Sequence, residues 1–324
     1  MVNVPMVSVI IPAYRSAEYI ADTLTSVFNQ TYRDIEVILV NDGSPDTPEL
    51  LEAIAPWRSR LVLIEQENGG AGAARNAALA VAIGEHVAFL DADDRWLPNF
   101  LESQVRYLQA RPGCDMVYAD ARMTGDTPLA GKTFMDTTPS EGPVNFSSLL
   151  AQQCTVLTSA VVARRQAVES TGRFDATLRR GQDFDLWLRL AHRGCRIEYQ
   201  RLPLIERIVR ADGLSADPVT ELERAIRVLI GICAKLPLTQ ADREMLQRRV
   251  TVLDAALELE RGKRGLRTGS FDDARRHFQR SMALAPQWKV RAVLTVMSIA
   301  PRTFKRAYMR LRPPSTAETI AAQN

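Results

Sequence analysis

HVAFLDADDRWLP, residues 86–98, decides the fold: an apolar run passes without interruption into Asp91, Asp93 and Asp94. A short run with no alternating polar positions suits a strand covered on both faces, as in a parallel sheet. Val- and Ile-rich runs recur at residues 7–11, 35–40, 61–64, 86–90 and 116–118, their starts 28, 26, 25 and 30 residues apart, with helix-period segments between them. That rhythm predicts strand–helix–strand units. The chain reads as an α/β fold with a mostly parallel, doubly wound sheet and helices on both faces. Ligands in such sheets sit beyond the carboxyl ends of the strands, so the residues that follow each run are the candidates for chemistry.

The whole chain fits one such domain with an appendage. Its 324 residues, 46% hydrophobic and 24% charged, have ordinary globular composition. Forty-one Lys and Arg against 38 Asp and Glu leave a formal charge of +3, too little for general nucleic-acid binding by phosphate neutralisation, so no nucleic-acid partner is expected. Cys114, Cys154, Cys195 and Cys233 lie 40, 41 and 38 residues apart, without zinc-site spacing, and read as reduced thiols. Residues 1–5 lead straight into the first run without the pattern of a secretion signal, and the expected location is cytoplasmic. The late apolar stretch at residues 292–300 is far shorter than the roughly 20 residues that span a bilayer.

After the fifth run, residues 124–143 are rich in Gly, Pro, Thr and Asp and read as a long loop or lid. Residues 184–192 read as a helix, and residues 201–218, with Pro203, Gly213 and Pro218, as an irregular stretch that closes the first domain. The boundaries are therefore 1–218 and 219–324. The second region is helical: Leu222, Ala225, Ile226, Leu229, Ile230 and Cys233 share one stripe, and Val250, Leu253 and Leu257 another. Gly269, Phe271, Ala274, Phe278, Leu284 and Pro286, with Gly262 and Ser281, resemble the second half of one tetratricopeptide-type repeat. A single unit favours a helical hairpin docked on the first domain over a free peptide-binding array. Residues 286–324 carry seven Lys or Arg against Glu318, interspersed with Trp288, Val293, Val296, Phe304, Tyr308 and Leu311. This pattern fits peripheral contact with an anionic membrane surface and equally a solvated tail.

Several loops carry candidate chemistry. IIPAYRSAEYI, residues 10–20, ends its strand at Pro12 and offers Tyr14 at the sheet edge; VNDGSPD, residues 40–46, puts Asp42 on a tight turn, as an acceptor for a base or ribose or as an Asx turn. NGGAGAARNAAL, residues 68–79, brings small residues ahead of a helix with Arg75 in its first turns, and is neither a Walker loop nor a dinucleotide fingerprint. Asp91, Asp93 and Asp94 repel one another unless a cation or donors compensate, and Asp91 with Asp93 suits Mg²⁺ or Mn²⁺ bound to a diphosphate if the strand continues through them. Asp94 is read as the cap of a helix starting near Trp96. In RRGQDFDLWLRL, residues 179–190, Asp185 suits a first helical turn, and Asp183 suits either an N-cap or a base facing a cleft.

In order and spacing, VSVIIPAYRSAEYI, DIEVILVNDGSPD, ENGGAGAARNAAL, VAFLDADDRWLP and GQDFDLWLRLAHRG resemble the family 2 glycosyltransferases of the GT-A fold, over residues 7–215. The resemblance implies that Pro12, Tyr14 and Asp42 bind base and ribose, that Arg75 lies near the nucleotide, and that Asp91 and Asp93 form a DxD site holding Mg²⁺ or Mn²⁺ and diphosphate. Asp183 would be the base of a single inverting displacement. It further implies a nucleotide-sugar donor, a UDP sugar by family preference, and a saccharide or lipid-linked acceptor in surface polysaccharide assembly. Two departures stand out. The family's acidic dyad is Gln182-Asp183 here, and RIVRADGLS, residues 207–215, offers Arg210 where many relatives carry a His. Gln182 and Arg210 are thus candidate diphosphate or acceptor contacts; an arginine pairs with phosphate but does not ligate metal. The alternatives are a noncatalytic nucleotide-sugar-binding scaffold, which Asp91, Asp93 and Asp183 argue against, and a nucleotidyltransferase releasing pyrophosphate.

Overall fold

The structure, a computed structural model, describes residues 6–125, 127, 129–209 and 217–311. The chain divides into two compact units, residues 1–213 and 214–324. In the first, strands β1 (Val7–Ala13), β2 (Ile35–Asp42), β3 (Val62–Gln66), β4 (His86–Phe89), β5 (Arg95–Trp96), β6 (Met116–Thr124), β7 (Val161–Arg164) and β8 (Ile197–Ile208) form one mixed sheet in the order β3-β2-β1-β4-β7-β6-β8-β5. The pairs β1–β2, β2–β3, β1–β4 and β6–β8 are parallel; β4–β7, β6–β7 and β5–β8 are antiparallel. All four residues of β4 are buried, whereas β3 at the sheet edge is half-exposed, so a continuous apolar run marks a central strand.

Helices α1 (Ile20–Phe28), α2 (Thr47–Ile54), α3 (Ala71–Val81), α4 (Phe100–Ala110), α5 (Phe134–Thr137), α6 (Phe146–Leu150), α7 (Arg165–Ser170) and α8 (Gln182–His192) complete this unit. Trp187 of α8 packs against Phe89 of β4 and edge-on to Phe174, and Phe174 meets Phe89 edge-to-face at 5.2 Å. This aromatic cluster sets the start of α8 against the exit of β4. All four cysteines are unbridged.

Three sequence expectations need correction. Residues 201–208 are not irregular but belong to β8, which pairs with β6 through register shifts on either side of Asp120; Pro203 sits opposite Asp120, where the ladder needs no amide from it. The Asp120 carboxylate accepts from the amides of Ala121 (2.8 Å) and Met135 (2.9 Å), satisfying the bulge and anchoring α5. The described residues of the 124–143 loop are consequently tied down rather than open: Met123 and Lys132 pair across a turn, a Thr133/Asp136 capping box starts α5, and Phe134 and Met135 are buried. Asp94 caps no helix, because Arg95 and Trp96 form β5 and α4 begins at Phe100.

The second unit comprises α9 (Pro218–Lys235), α10 (Gln240–Arg267), α11 (Phe271–Leu284), α12 (Trp288–Ile299) and α13 (Pro301–Leu311), each packed on its neighbour. Ile226, Val228, Leu229 and Ile232 face inward on α9, whereas Ile230, expected in that stripe, is 58% exposed. The predicted hairpin is α10–α11. Gly262 lets the two helices close, since a Cβ there would lie 2.5 Å from a ring carbon of Phe278, and the Ser281 hydroxyl donates to the Ala255 carbonyl at 2.8 Å. Asp217 caps α9, accepting from the Thr220 amide and hydroxyl and from Arg264. The Thr220 hydroxyl first, and Arg264 after it, hold the Asp217 carboxyl down at about 2.

Two outcomes follow for stability. Gly262→Ala overpacks the α10–α11 crossing and lowers the unfolding free energy by about 1–3 kcal/mol in urea denaturation. Asp217→Ala costs about 1 kcal/mol at neutral pH. Because the folded pKa lies below the ordinary 3.8, the cap stabilises above that value, and the difference between parent and variant shrinks as pH falls from 3.8 towards 2. A gap that widens on acidification refutes the capping account.

Candidate active site

At the exits of β1 and β2, Pro12 pairs in register with Val40, and Tyr14 is 45% exposed on the loop that follows. The Arg15 amide donates to Ser44 Oγ at 2.6 Å, tying the two loops together. The Asx turn forms on Asn41, whose Oδ1 accepts from the Ser44 amide at 3.1 Å. Asp42, 2% exposed, does something else. Its Oδ1 accepts from Gln66 Nε2 (2.7 Å) and the Gly69 amide (2.9 Å), and its Oδ2 from the Gly70 amide (2.8 Å), so it fastens the loop that leads into α3. Oδ2 retains one acceptor direction for a ligand.

Beyond β4 the backbone leaves the strand and turns: the Asp94 amide bonds the Asp91 carbonyl at 3.1 Å. Asp91 and Asp93 therefore stand on a turn, not on one side of a continuing strand. Arg75 Nη2 donates to Asp91 Oδ1 at 2.6 Å. The Arg75 side chain is 4% exposed, lies 5.4 Å from the Phe174 ring centroid, and has no hydrogen-bond partner for Nε or Nη1. Unpaired buried guanidinium donors cost stability unless something anionic meets them. Asp94 points inward. Burial first, and then the charges of Asp91 and Asp93, push its carboxyl up to about 7, against the opposing hydrogen bond from Ser159 Oγ at 2.5 Å.

The third component is the turn of residues 158–160 at the start of β7. Ser159 Oγ also accepts the Asp91 amide (3.2 Å), and the Ser159 carbonyl accepts Trp96 Nε1 (2.7 Å). Its neighbour Thr158 donates to Asp183 Oδ2 at 2.9 Å. Asp183 and Gln182 occupy the first turn of α8, where Gly181 is the N-cap and the helix dipole favours an anion. Gln182 is 7% exposed, its stem packs 3.1 Å from where a Cβ on Gly72 would lie, and its Oε1 has no partner. Asp185 is paired with Arg189 at 2.7 Å, and Arg189 also donates to the carbonyls of Thr171 and Arg173.

The contacts form a closed ring: Asp42 holds the loop of residues 68–70, α3 presents Arg75 to Asp91, Ser159 and Thr158 bridge the acidic turn to Asp183, and Gln182 returns to Gly72. Tyr14 stands on the neighbouring loop. Arg210 lies outside the described residues. Thr158, Ser159 and Arg179, which donates to Asn68 Oδ1 at 2.9 Å, were not singled out from sequence. A signal existed for the first two. An antiparallel strand brings its beginning to the edge where its parallel neighbours end, so the polar residues before residues 160–163 belong with those after the other runs. Among the described residues no three His, Cys, Asp or Glu side chains are clustered to hold a metal ion. Asp91 and Asp93 offer a two-carboxylate oxygen set, which suits a hard dication only with substrate oxygens or water completing its shell.

Residues 8–162 match the description "Glycosyl transferase family 2", and residues 86–307 "Glycosyl transferase family group 2". The chain is 30% identical over 232 residues to the Escherichia coli UDP-Glc:alpha-D-GlcNAc-diphosphoundecaprenol beta-1,3-glucosyltransferase WfaP, covering 71% of this chain and 88% of that protein. Of three rickettsial glycosyltransferases that it also matches, it spans 58%, 31% and 29% of the length. Staphylococcus aureus TarS 1-349 in complex with UDP superposes with a TM-score of 0.61 at 19% identity, covering 93% of this chain and 87% of that one. The Pyrobaculum calidifontis mannosyltransferase PcManGT in complex with GDP-Man and Mn2+ gives 0.61 at 22% identity, covering 98% and 86%. At those identities the two structures show a shared fold.

Asp42→Ala strips three part-buried donors of their acceptor and lowers the unfolding free energy by about 1–3 kcal/mol in urea denaturation, more than Asp42→Asn does. Amide exchange at Gly69 and Gly70 accelerates in both. Equal stability of Asp42→Ala and parent would remove the fastening role.

Proposed function

The chain belongs to glycosyltransferase family 2 and has the GT-A fold, and from that premise we propose that it moves a sugar from a nucleotide-diphosphate donor, a UDP sugar, to a saccharide or lipid-linked acceptor with inversion. The setting is cell-surface polysaccharide assembly. The UDP donor and lipid-linked acceptor are supported by the E. coli relative, a UDP-Glc:alpha-D-GlcNAc-diphosphoundecaprenol beta-1,3-glucosyltransferase. One observation carries the reading: two consecutive residues, Thr158 and Ser159, join the carboxylate of α8 to the acidic turn beyond β4. A transferase needs both, one to manage the leaving diphosphate and one to take the acceptor's proton.

In this assignment Pro12 and Tyr14, with the remaining Oδ2 direction of Asp42, receive the base and ribose. Asp91 and Asp93 would hold Mg²⁺ or Mn²⁺, which supplies positive charge to the departing diphosphate when bound. The two partnerless donors of Arg75 suit the same anionic oxygens, and Arg210 adds a second cation by sequence. Asp183 accepts the proton of the acceptor hydroxyl as the new bond to the anomeric carbon forms and the bond to the phosphate oxygen breaks. The Thr158 hydroxyl on Oδ2 and the Phe184 amide on Oδ1, at 2.9 and 2.8 Å, keep that carboxylate oriented. Gln182 Oε1 is positioned to accept a second acceptor hydroxyl without titrating.

The test measures nucleoside diphosphate release from a panel of UDP and GDP sugars with Mn²⁺ and candidate acceptors, for the parent and for Asp183→Asn. The parent releases UDP in an acceptor-dependent manner, and Asp183→Asn is slower by about 10²–10⁴-fold. Equal turnover rejects Asp183 as the base. Pyrophosphate production from a nucleoside triphosphate rejects transfer altogether, and donor binding without turnover leaves a noncatalytic module.

A further inference from the structure

Helix α12 is apolar on two opposite faces, and only one is used. Val290 and Met297, each 5% exposed, join Leu266, Ala274 and Phe278 in the core of the helical unit, with Val293 and Leu294 packed beside them. On the reverse side Trp288, Ala292, Val296 and Ile299 recur at i, i+4, i+8 and i+11, a spacing that keeps all four within an arc of about 80° on a 3.6-residue helix. Trp288 is 76%, Val296 47% and Ile299 79% exposed, and Ala292 is exposed as well. Single exposed apolar side chains are ordinary; a stripe along the whole helix, headed by a tryptophan, is not.

The surrounding charge says what covers it. Lys289 and Arg291 flank the stripe on either side, and the Lys289 ammonium lies 5.7 Å from the Trp288 ring centroid. Helix α13 turns Phe304 and Tyr308 towards Phe271 and the core, leaving Arg302 and Arg306 exposed. Residues 286–312 contain seven Lys or Arg and no Asp or Glu. A nucleic-acid backbone would answer the cations but offers nothing to an aliphatic stripe. A protein groove would cover the stripe but gives no reason for so long a run without an acid. A bilayer surface bearing anionic lipid answers both, taking apolar side chains and an indole at the level of the headgroups while its phosphates meet the cations.

We propose that α12 and α13 form a membrane-surface contact: Trp288, Val296 and Ile299 enter the interface of an anionic leaflet, and Lys289, Arg291, Arg302 and Arg306 pair with lipid phosphates. The helix lies on the membrane and does not cross it; among the described residues no helix is long and apolar enough to span. This inference uses none of the residues assigned to transfer, so it stands or falls separately from the proposed reaction.

The experiment is co-sedimentation of the full chain with phosphatidylcholine vesicles, with and without phosphatidylglycerol. Three proteins are compared: the parent, Trp288→Ser/Ile299→Ser and Arg302→Gln/Arg306→Gln. All four positions are exposed, and circular dichroism checks the fold. The parent binds the anionic vesicles and leaves the neutral ones, high salt weakens binding, and each double variant partitions at least about tenfold less. Trp288 fluorescence is quenched by doxyl-labelled lipid, while the buried Trp96 and Trp187 are spared. The proposal is overturned if the parent binds neither vesicle, binds both equally, or is matched by both double variants. Self-association that Trp288→Ser/Ile299→Ser abolishes, without vesicle binding, would give the stripe to a second copy of the chain.

Discussion

An excess of negative charge on one turn governs the carboxyl edge of this sheet. Three aspartates within four residues follow a fully buried strand, close enough in the chain for their charges to repel one another. The protein separates them. Asp94 is taken inside and held by the Ser159 hydroxyl, at the cost of a carboxyl pushed up to about 7, while Asp91 is met by Arg75, itself almost entirely buried. The neutralisation is incomplete: two Arg75 donors remain without a partner.

The antiparallel strand β7 makes the rest of the site possible. Parallel strands deliver only their ends to this edge, whereas β7, paired antiparallel to β4, delivers its beginning. Thr158 and Ser159 thereby stand beside the acidic turn, although Ser159 is 65 residues from Asp94 and 68 from Asp91 in sequence. This is also where sequence reading stopped short. The central runs were legible because β1, β2 and β4 are buried along most of their length, and Asp91 and Asp93 stood out because carboxylates directly after such a run have few inexpensive explanations. β8 was not, since much of it is half-exposed and it carries Pro203 at its bulge, and a two-residue strand such as β5 has no periodicity to detect. Asp42 shows the converse limit: a carboxylate followed by a glycine is visible in sequence, but the amides of Gly69 and Gly70 that it accepts from are a product of folding.

The helical unit was legible where close packing leaves a chemical trace. Gly262 is required by the Phe278 ring, and Ser281 is small because its hydroxyl reaches the carbonyl of Ala255; both are constraints on size that a repeat-like spacing exposes. The outer side of α12 left no such trace. A helix apolar on two faces has weak periodicity, so sequence alone divides it evenly between a membrane contact and a frayed tail, and only the burial of Val290 and Met297 on one side shows that Trp288 and Ile299 are left over on the other.

Helix α8 divides its acidic residues by the partners available to them. Asp185 is fully buried and paired with Arg189, whose remaining donors are spent on the carbonyls of Thr171 and Arg173; it fixes the helix to the preceding turn. Asp183, two residues earlier, accepts instead from neutral donors, a threonine hydroxyl and an adjacent amide. Gln182 fits the same logic. A second carboxylate there would be buried beside Asp183 with no cation between them, whereas the neutral amide occupies the position against Gly72 and leaves an acceptor oxygen unengaged. The departure from the family's acidic dyad therefore preserves one anion at the start of the helix, where the dipole supports it, and changes the neighbouring residue from a possible proton acceptor into a neutral hydrogen-bond acceptor.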